Sequence, residues 1–166
     1  MKILALLALI FAANSANAYY TIHSITGTVT RVSDGDTLTV RTKDKNVIVR
    51  LSRIDAPEIS HYGKPAQPYG IEARDWLREV VKGEHVVVYD EGTDQYGRMI
   101  GTVIMGNENI NALMVEDGYA WVYDQFAKDV DGAALNELEQ VAREKKKGLW
   151  QDANPIPPSE FRKSQK

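Results

Sequence analysis

Ile25-Thr-Gly-Thr-Val-Thr-Arg-Val32, then Asp34-Gly35, then Thr37-Leu-Thr-Val-Arg-Thr42 is the stretch on which the fold turns. Two runs rich in Thr and Val flank an Asp-Gly pair, a strong short-range hairpin signal. Working outward, the polar turn Lys43-Asp-Lys-Asn46 leads into a third strand, Val47-Ile-Val-Arg-Leu51. Pro57 lacks a ladder donor and ends regular pairing. Residues 60–68, with Gly63, Pro65 and Pro68, read as an exposed loop. Ala73, Trp76, Leu77, Val80 and Val81 then recur at helical spacing, and Gly83 stops that helix. Val86-Val-Val-Tyr89 and Met99-Ile-Gly-Thr-Val-Ile104 are two more strands, separated by a turn holding Gly92 and Gly97. Ile110, Leu113 and Met114 mark a short helix that ends before Gly118. Leu135, Leu138, Val141 and Ala142 mark a last helix, with Lys145 to Lys147 in its final turn, where positive charge suits the helix dipole, and Gly148 closing it. The tail from Asn154 contains three prolines and is expected to lie extended over the surface.

Five strands, with one helix between the third and fourth and others after the fifth, is the element order of an OB-type barrel. The expected class is α+β: a five-stranded OB-fold barrel with about three α-helices. Three segments follow from composition: 1–18 as a cleaved signal peptide, 19–152 as the barrel domain, and 153–166 as a proline-containing tail. Lys2, the apolar run Ile3 to Ala13 and the small-x-small site Ala16-Asn-Ala18 fit a secretory leader cut after Ala18. The run is short for a bilayer span, so no membrane anchor is expected after processing, and the protein is expected to be exported, periplasmic or secreted. The chain has no cysteine, which excludes disulfides and thiolate metal sites. Losing residues 1–18 removes one lysine and no acid, leaving 19 basic against 23 acidic side chains. That balance argues against bulk attraction to a polyanion, although the arrangement of charge can override the total.

Three segments carry the candidate chemistry: Val32-Ser-Asp-Gly-Asp-Thr37, Arg50-Leu-Ser-Arg-Ile-Asp-Ala-Pro-Glu58 and Asp94-Gln-Tyr-Gly-Arg98. They supply three carboxylates, Asp36, Asp55 and Glu58, and two arginines, Arg50 and Arg98. Two carboxylates can hold a hard cation, a third can handle a proton, and two guanidinium forks can hold a phosphate. Each piece also has a plainer reading. Asp34 and Asp36 around a glycine are turn residues, which accounts for Asp34 but not for a second Asp opening a strand, where Asp is disfavoured. Asp55-Ala-Pro-Glu58 reads as a helix start, but no periodic apolar run follows it. Arg50 and Arg98 read as surface charges. Strand parity does not bring Arg50 and Asp55 to one side, so a bend near Pro57 is required. His23, His61 and His85 lack ligand spacing. Tyr96, Trp121 and Tyr123 are candidates for base stacking or for packing.

The ordered set Asp34-Gly-Asp-Thr37, Arg50, Asp55-Ala-Pro-Glu58, Tyr69-Gly-Ile-Glu-Ala73, Asp94-Gln-Tyr-Gly-Arg98 and Gly148-Leu-Trp150 resembles the staphylococcal (micrococcal) nuclease, or thermonuclease, family. The resemblance runs from about Thr26 to about Trp150. It implies a calcium-dependent phosphodiesterase, a hydrolase acting on DNA and RNA with little sequence specificity and leaving 3′-phosphate ends. Asp36, Asp55 and the backbone carbonyl of Ala56 match the Ca²⁺ positions; Arg50, Glu58 and Arg98 match the catalytic ones. Single-stranded or unpaired substrate and a monomer are expected. The alternatives are a catalytically inactive nucleic-acid-binding barrel and an exported calcium-binding or adhesion module; neither needs the two arginines and Glu58 together.

Overall fold

The Asp34-Gly35 hairpin forms where it is expected, and the rest of the barrel grows from it. The computed structural model describes residues 23–60, 63–123 and 130–165. The leader therefore lies outside the described residues, as does His61. Strands β1 (Ser24–Asp34), β2 (Thr37–Arg41) and β3 (Asn46–Leu51) form an antiparallel meander. A two-residue strand β4 (Ile54–Asp55) follows, then helix α1 (Gly70–Val81). Strands β5 (His85–Thr93) and β6 (Met99–Met105) pair with each other, and β5 pairs with β1. The sheet order is β3-β2-β1-β5-β6, and a parallel β3–β6 pairing through Val49, Arg50 and Leu51 closes the barrel. Closure removes both free edges. The remaining elements are β7 (Glu108–Asn109), α2 (Ile110–Glu116), β8 (Trp121–Val122, paired with β4), α3 (Val130–Glu144), a 3₁₀ turn at Gly148–Gln151, and α4 (Pro158–Ser164).

The core follows from alternation along the strands. Val29, Leu38, Val40, Val49, Leu51, Val86, Val88 and Val103 point inward and are almost fully buried. Val29 and Val32 both point inward although they lie three apart, because a bulge between Val29 and Arg31 resets the parity of β1. Helix α1 caps one end with Ala73, Leu77 and Val81, and α2 adds Ile110, Met114 and Val115. Each large apolar side chain so buried stabilises the fold by about 1.5–3 kcal/mol. Gly70 opens α1 because a Cβ there would sit 2.2 Å from the Glu58 carbonyl oxygen, so the helix can press directly on the Glu58 segment.

Four details differ from the sequence reading. Gly92 is not in the β5–β6 turn; β5 runs through it, with a bulge between Asp90 and Gly92, and the turn is Asp94–Arg98. Val141 is on the outer side of α3, 38% exposed. Lys145 to Lys147 follow α3 instead of ending it, and Lys147 pairs with Asp117 at 3.1 Å. The tail is not simply extended: Pro158 occupies the first turn of α4, a position where a missing N–H costs nothing, and the count of helices among the described residues rises to four.

Candidate active site

Arg50 stands on β3, the central seam of the barrel, and its neighbours on the cleft side arrive by two tight reversals. The β1–β2 turn carries Asp34 and Asp36. The Asp36 N–H donates to Asp34 Oδ1 at 3.1 Å, and the Asp36 carbonyl accepts from Leu51 N at 2.8 Å, so the turn is locked to β3. The second reversal is at Ser52-Arg53, between β3 and β4, and not near Pro57. Arg53 takes a left-handed conformation, φ 63°. Tertiary bonds hold it there: the buried Asn111 of α2 donates from Nδ2 to the Ser52 carbonyl at 3.0 Å and accepts from Val103 N at 3.0 Å. Ser52 Oγ donates to Glu91 at 2.7 Å, and Arg53 pairs with the same carboxylate. This bend swings Asp55 back beneath Arg50.

The result is a cleft of about 330 Å³ lined by Asp34, Asp36, Arg50, Asp55, Ala56, Glu58, Tyr96, Arg98 and Tyr123 among others. All five charged side chains singled out from sequence therefore meet around one space. The Arg50 fork bridges two of them: Nη1 pairs with Asp36, and Nη2 donates to Asp55 Oδ1 at 3.1 Å. Ala56 N donates to the same Asp36 oxygen, Oδ2, at 3.3 Å, and Thr37 Oγ1 donates to Oδ1 at 3.0 Å. Glu58 has no regular element of its own. Its backbone is clamped by Gln67, whose side-chain oxygen accepts from Glu58 N at 3.1 Å and whose N–H donates to the Glu58 carbonyl at 2.9 Å. Gln67 is buried, although the sequence places it in an exposed loop.

Arg98 arrives from the β5–β6 turn. Asp94 organises that turn by accepting from the N–H groups of Tyr96 and Arg98, both at 2.9 Å, and then holds Arg98 Nε at 2.7 Å. Those bonds outweigh the cost of burial and keep the Asp94 carboxyl below its ordinary range. The far end of the Arg98 fork reaches Thr37 Oγ1 at 3.3 Å. Tyr96 is 75% exposed beside it, with the guanidinium 5.6 Å from the ring centre. Trp121 does not line the cleft; it packs against Trp150 with ring centres 4.3 Å apart, under the Arg143 guanidinium.

The electrostatics mark the site as crowded with negative charge. Burial pushes the Asp34 carboxyl up to about 7, and the Asp36 charge beside it adds to the push. At Asp36 burial also opposes ionisation, but the Arg50 guanidinium wins and holds that carboxyl below its usual range. Asp34 thus belongs to the cleft, although turn chemistry accounts for it in the sequence. A second addition has no signal in the sequence at all. Arg162 of α4 lines the same cleft, grips Asp55 through both carboxylate oxygens at 2.9 and 3.1 Å, and reaches Glu58 Oε1 at 2.6 Å.

The sequence that builds this site is similar to those of known proteins. Residues 48–152 match the family described as staphylococcal nuclease homologue. An uncharacterized endonuclease of Escherichia coli O157:H7 is 43% identical over 135 residues, covering 81% of this chain and 82% of the relative. An uncharacterized endonuclease of Haemophilus influenzae is 39% identical over 139 residues, covering 83% and 73%. A micrococcal nuclease of Shigella flexneri is 37% identical over 149 residues, covering 84% and 82%. With the closed barrel, the paired carboxylates and the two arginines around one cleft, these matches establish that the chain belongs to the staphylococcal nuclease family and is a nuclease.

Proposed function

We propose that the protein is an exported, calcium-dependent nuclease that hydrolyses phosphodiester bonds of DNA and RNA with little sequence specificity and leaves 3′-phosphate ends. The observation that carries this reading is the meeting of Asp36, Asp55 and Glu58 with Arg50 and Arg98 around one cleft. Its donors suit a hard cation. All are oxygens, the chain has no cysteine, and neither His23 nor His85 lines the cleft. A cationic group, the Arg162 guanidinium, is already seated on Asp55 and Glu58. Among the described residues no three acidic or histidine side chains form a ready-made cage. Calcium would therefore rest on Asp36, Asp55 and the Ala56 carbonyl and keep several waters. When bound it would supply charge neutralisation and polarise a phosphate oxygen.

The protein's own groups do the rest. Glu58 takes the proton of the attacking water, its backbone held still by Gln67. Arg50 and Arg98 bond the phosphate oxygens more strongly as negative charge grows on them. Tyr96 offers an exposed ring next to Arg98 for a base to stack on, which favours single-stranded or unpaired substrate and reads no base edges.

Chelation is expected to abolish DNA and RNA cleavage, and added calcium to restore it. Asp36→Ala should lose calcium affinity and turnover together. Full activity in excess chelator would remove the cation from the reading. Export rests on residues 1–18. The secreted protein should begin at Tyr19, and an intact mass that retains the apolar run Ile3 to Ala13 would overturn that part. Among the described residues no helix is long and apolar enough to cross a membrane. We take the protein to act as a monomer.

A further inference from the structure

We propose that helix α4 is a displaceable internal inhibitor, in which Arg162 acts as a tethered cation on Asp55, which would receive the metal, and on Glu58, which would take the proton. The inference rests on the reading of Asp55 as a calcium ligand and Glu58 as the catalytic carboxylate. Three observations carry it.

The first is where the guanidinium sits. Arg162 engages both oxygens of Asp55, at 2.9 and 3.1 Å, and Glu58 Oε1 at 2.6 Å. A tail that only needed tacking down could use any exposed acid. This one uses the two carboxylates whose free oxygens the reaction needs. The Asp55 side chain is almost fully buried, 3% exposed, and already serves Arg50 at 3.1 Å. With both arginines in place it has little capacity left for an ion.

The second is how α4 is brought there. The Pro155-Ile156-Pro157-Pro158 run stiffens the approach, and Pro158 starts the helix. Gln67 Nε2 donates to the Ile156 carbonyl at 2.6 Å, and Lys64 Nζ donates to the Gln165 carbonyl at 2.7 Å. Gln67 is the residue that clamps Glu58, so the latch and the catalytic loop share one support.

The third is that the attachment is weak enough to release. Helix α4 has seven residues, of which only Pro158 is buried. Ile156 is 50% exposed, and the Arg162 side chain is 42% exposed. A helix this short has no stability of its own in water, so its hold on the site rests on the ion pairs of Arg162, and a divalent ion that takes Asp55 removes the main one.

A guanidinium and a divalent ion compete for the same negative charge. If the site accepts calcium only when α4 is off, the apparent affinity falls by the fraction of molecules in the open state. The coupling is reciprocal, so calcium must loosen α4 by the same factor that Arg162 weakens calcium. The active site would then be closed at low calcium and open at high calcium, with no second protein involved.

The test compares the full chain with Arg162→Gln and, as a control for loss of one positive charge on the same helix, Lys163→Gln. Calcium chloride is titrated into each metal-free protein and binding is followed by amide NMR shifts. Arg162→Gln should bind at least about fivefold tighter, within the range of about 5- to 150-fold typical of coupled sites, and Lys163→Gln should change less than twofold. A second readout uses the absence of native cysteine: a fluorophore on Ser164→Cys reports the freedom of α4. Its anisotropy should fall on adding calcium to the otherwise wild-type chain and should start low in the Arg162→Gln background. Equal calcium affinity in wild type and Arg162→Gln, or unchanged anisotropy at saturating calcium, overturns the latch and leaves the nuclease reading standing. Absence of calcium binding in every protein overturns the calcium reading and the latch with it. A fall in kcat/KM of Arg162→Gln at saturating calcium, with Kd unchanged, would make Arg162 a phosphate ligand instead of an inhibitor.

Discussion

Glu58→Gln is expected to lower kcat by about 10²- to 10⁴-fold, the usual worth of a positioned general base. The substitution keeps the shape and removes the charge. It should not disturb the local backbone, because Gln67 holds Glu58 through main-chain groups that a side-chain change leaves alone. The neutral amide can still accept a hydrogen bond from Arg162, although more weakly than a carboxylate. Calcium affinity should therefore change far less than in Asp36→Ala, whose side chain is the direct partner of Arg50 and Ala56 N. Single-turnover cleavage at saturating calcium separates chemistry from binding and product release. A near-normal rate would leave Glu58 with only its bond to Arg162, and would make it an anchor for α4.

That experiment draws on residues that were legible in the sequence, and the reason is local. Asp36 follows a hairpin turn and Arg50 lies on the strand paired with it, so their proximity follows from a register in which Thr37 faces Arg50. Arg98 follows a turn that Asp94 fixes from within four residues. Short-range patterns of this kind are written in turn chemistry and strand alternation. What was not legible depends on partners distant in sequence. The bend that brings Asp55 under Arg50 uses Arg53 at φ 63°, where a glycine would have given warning; Asn111 and Glu91 impose it from other elements. Arg162 is 107 residues from Asp55, and nothing near it in sequence announces the contact. The prolines before it read as an extended tail, yet proline suits a helix only at its first turn, and Pro158 stands there. Asp34 reads as a turn residue in both sequence and structure; its place in the cleft lining depends on β3 and the Asp55 segment closing over the turn, and burial and the charge of Asp36 beside it raise its carboxyl.

Arg50→Lys and Arg98→Lys should each lose far more kcat/KM than Lys145→Ala, although the two arginine variants keep their positive charge and Lys145→Ala removes one. A guanidinium presents a planar fork, while an ammonium is a point charge. The structure shows both forks in use. Arg50 spans Asp36 and Asp55 with separate nitrogens, and Arg98 keeps Nε on Asp94 while Nη1 reaches Thr37. A lysine at position 98 can answer Asp94 or reach a phosphate, but its single nitrogen cannot do both. At position 50 it can pair with one carboxylate and leave the other short of a partner in a partly buried site, so a modest fall in Tm should accompany the loss of rate. If the arginines bond phosphate oxygens in the transition state, each substitution should cost roughly 3 kcal/mol there, comparable to removing an oxyanion donor. Lys145 is exposed just beyond α3 and is the proper control for bulk attraction. The measurement is kcat/KM on a short single-stranded substrate at fixed calcium and salt, with thermal melting alongside. Near wild-type cleavage by both lysine variants would show that positive charge alone suffices at these positions. The arginines would then act through charge alone and not as transition-state ligands. A deep loss at both, with Lys145→Ala unaffected, is the outcome the fork geometry requires, because a net acidic chain cannot rely on its overall charge to hold a polyanion.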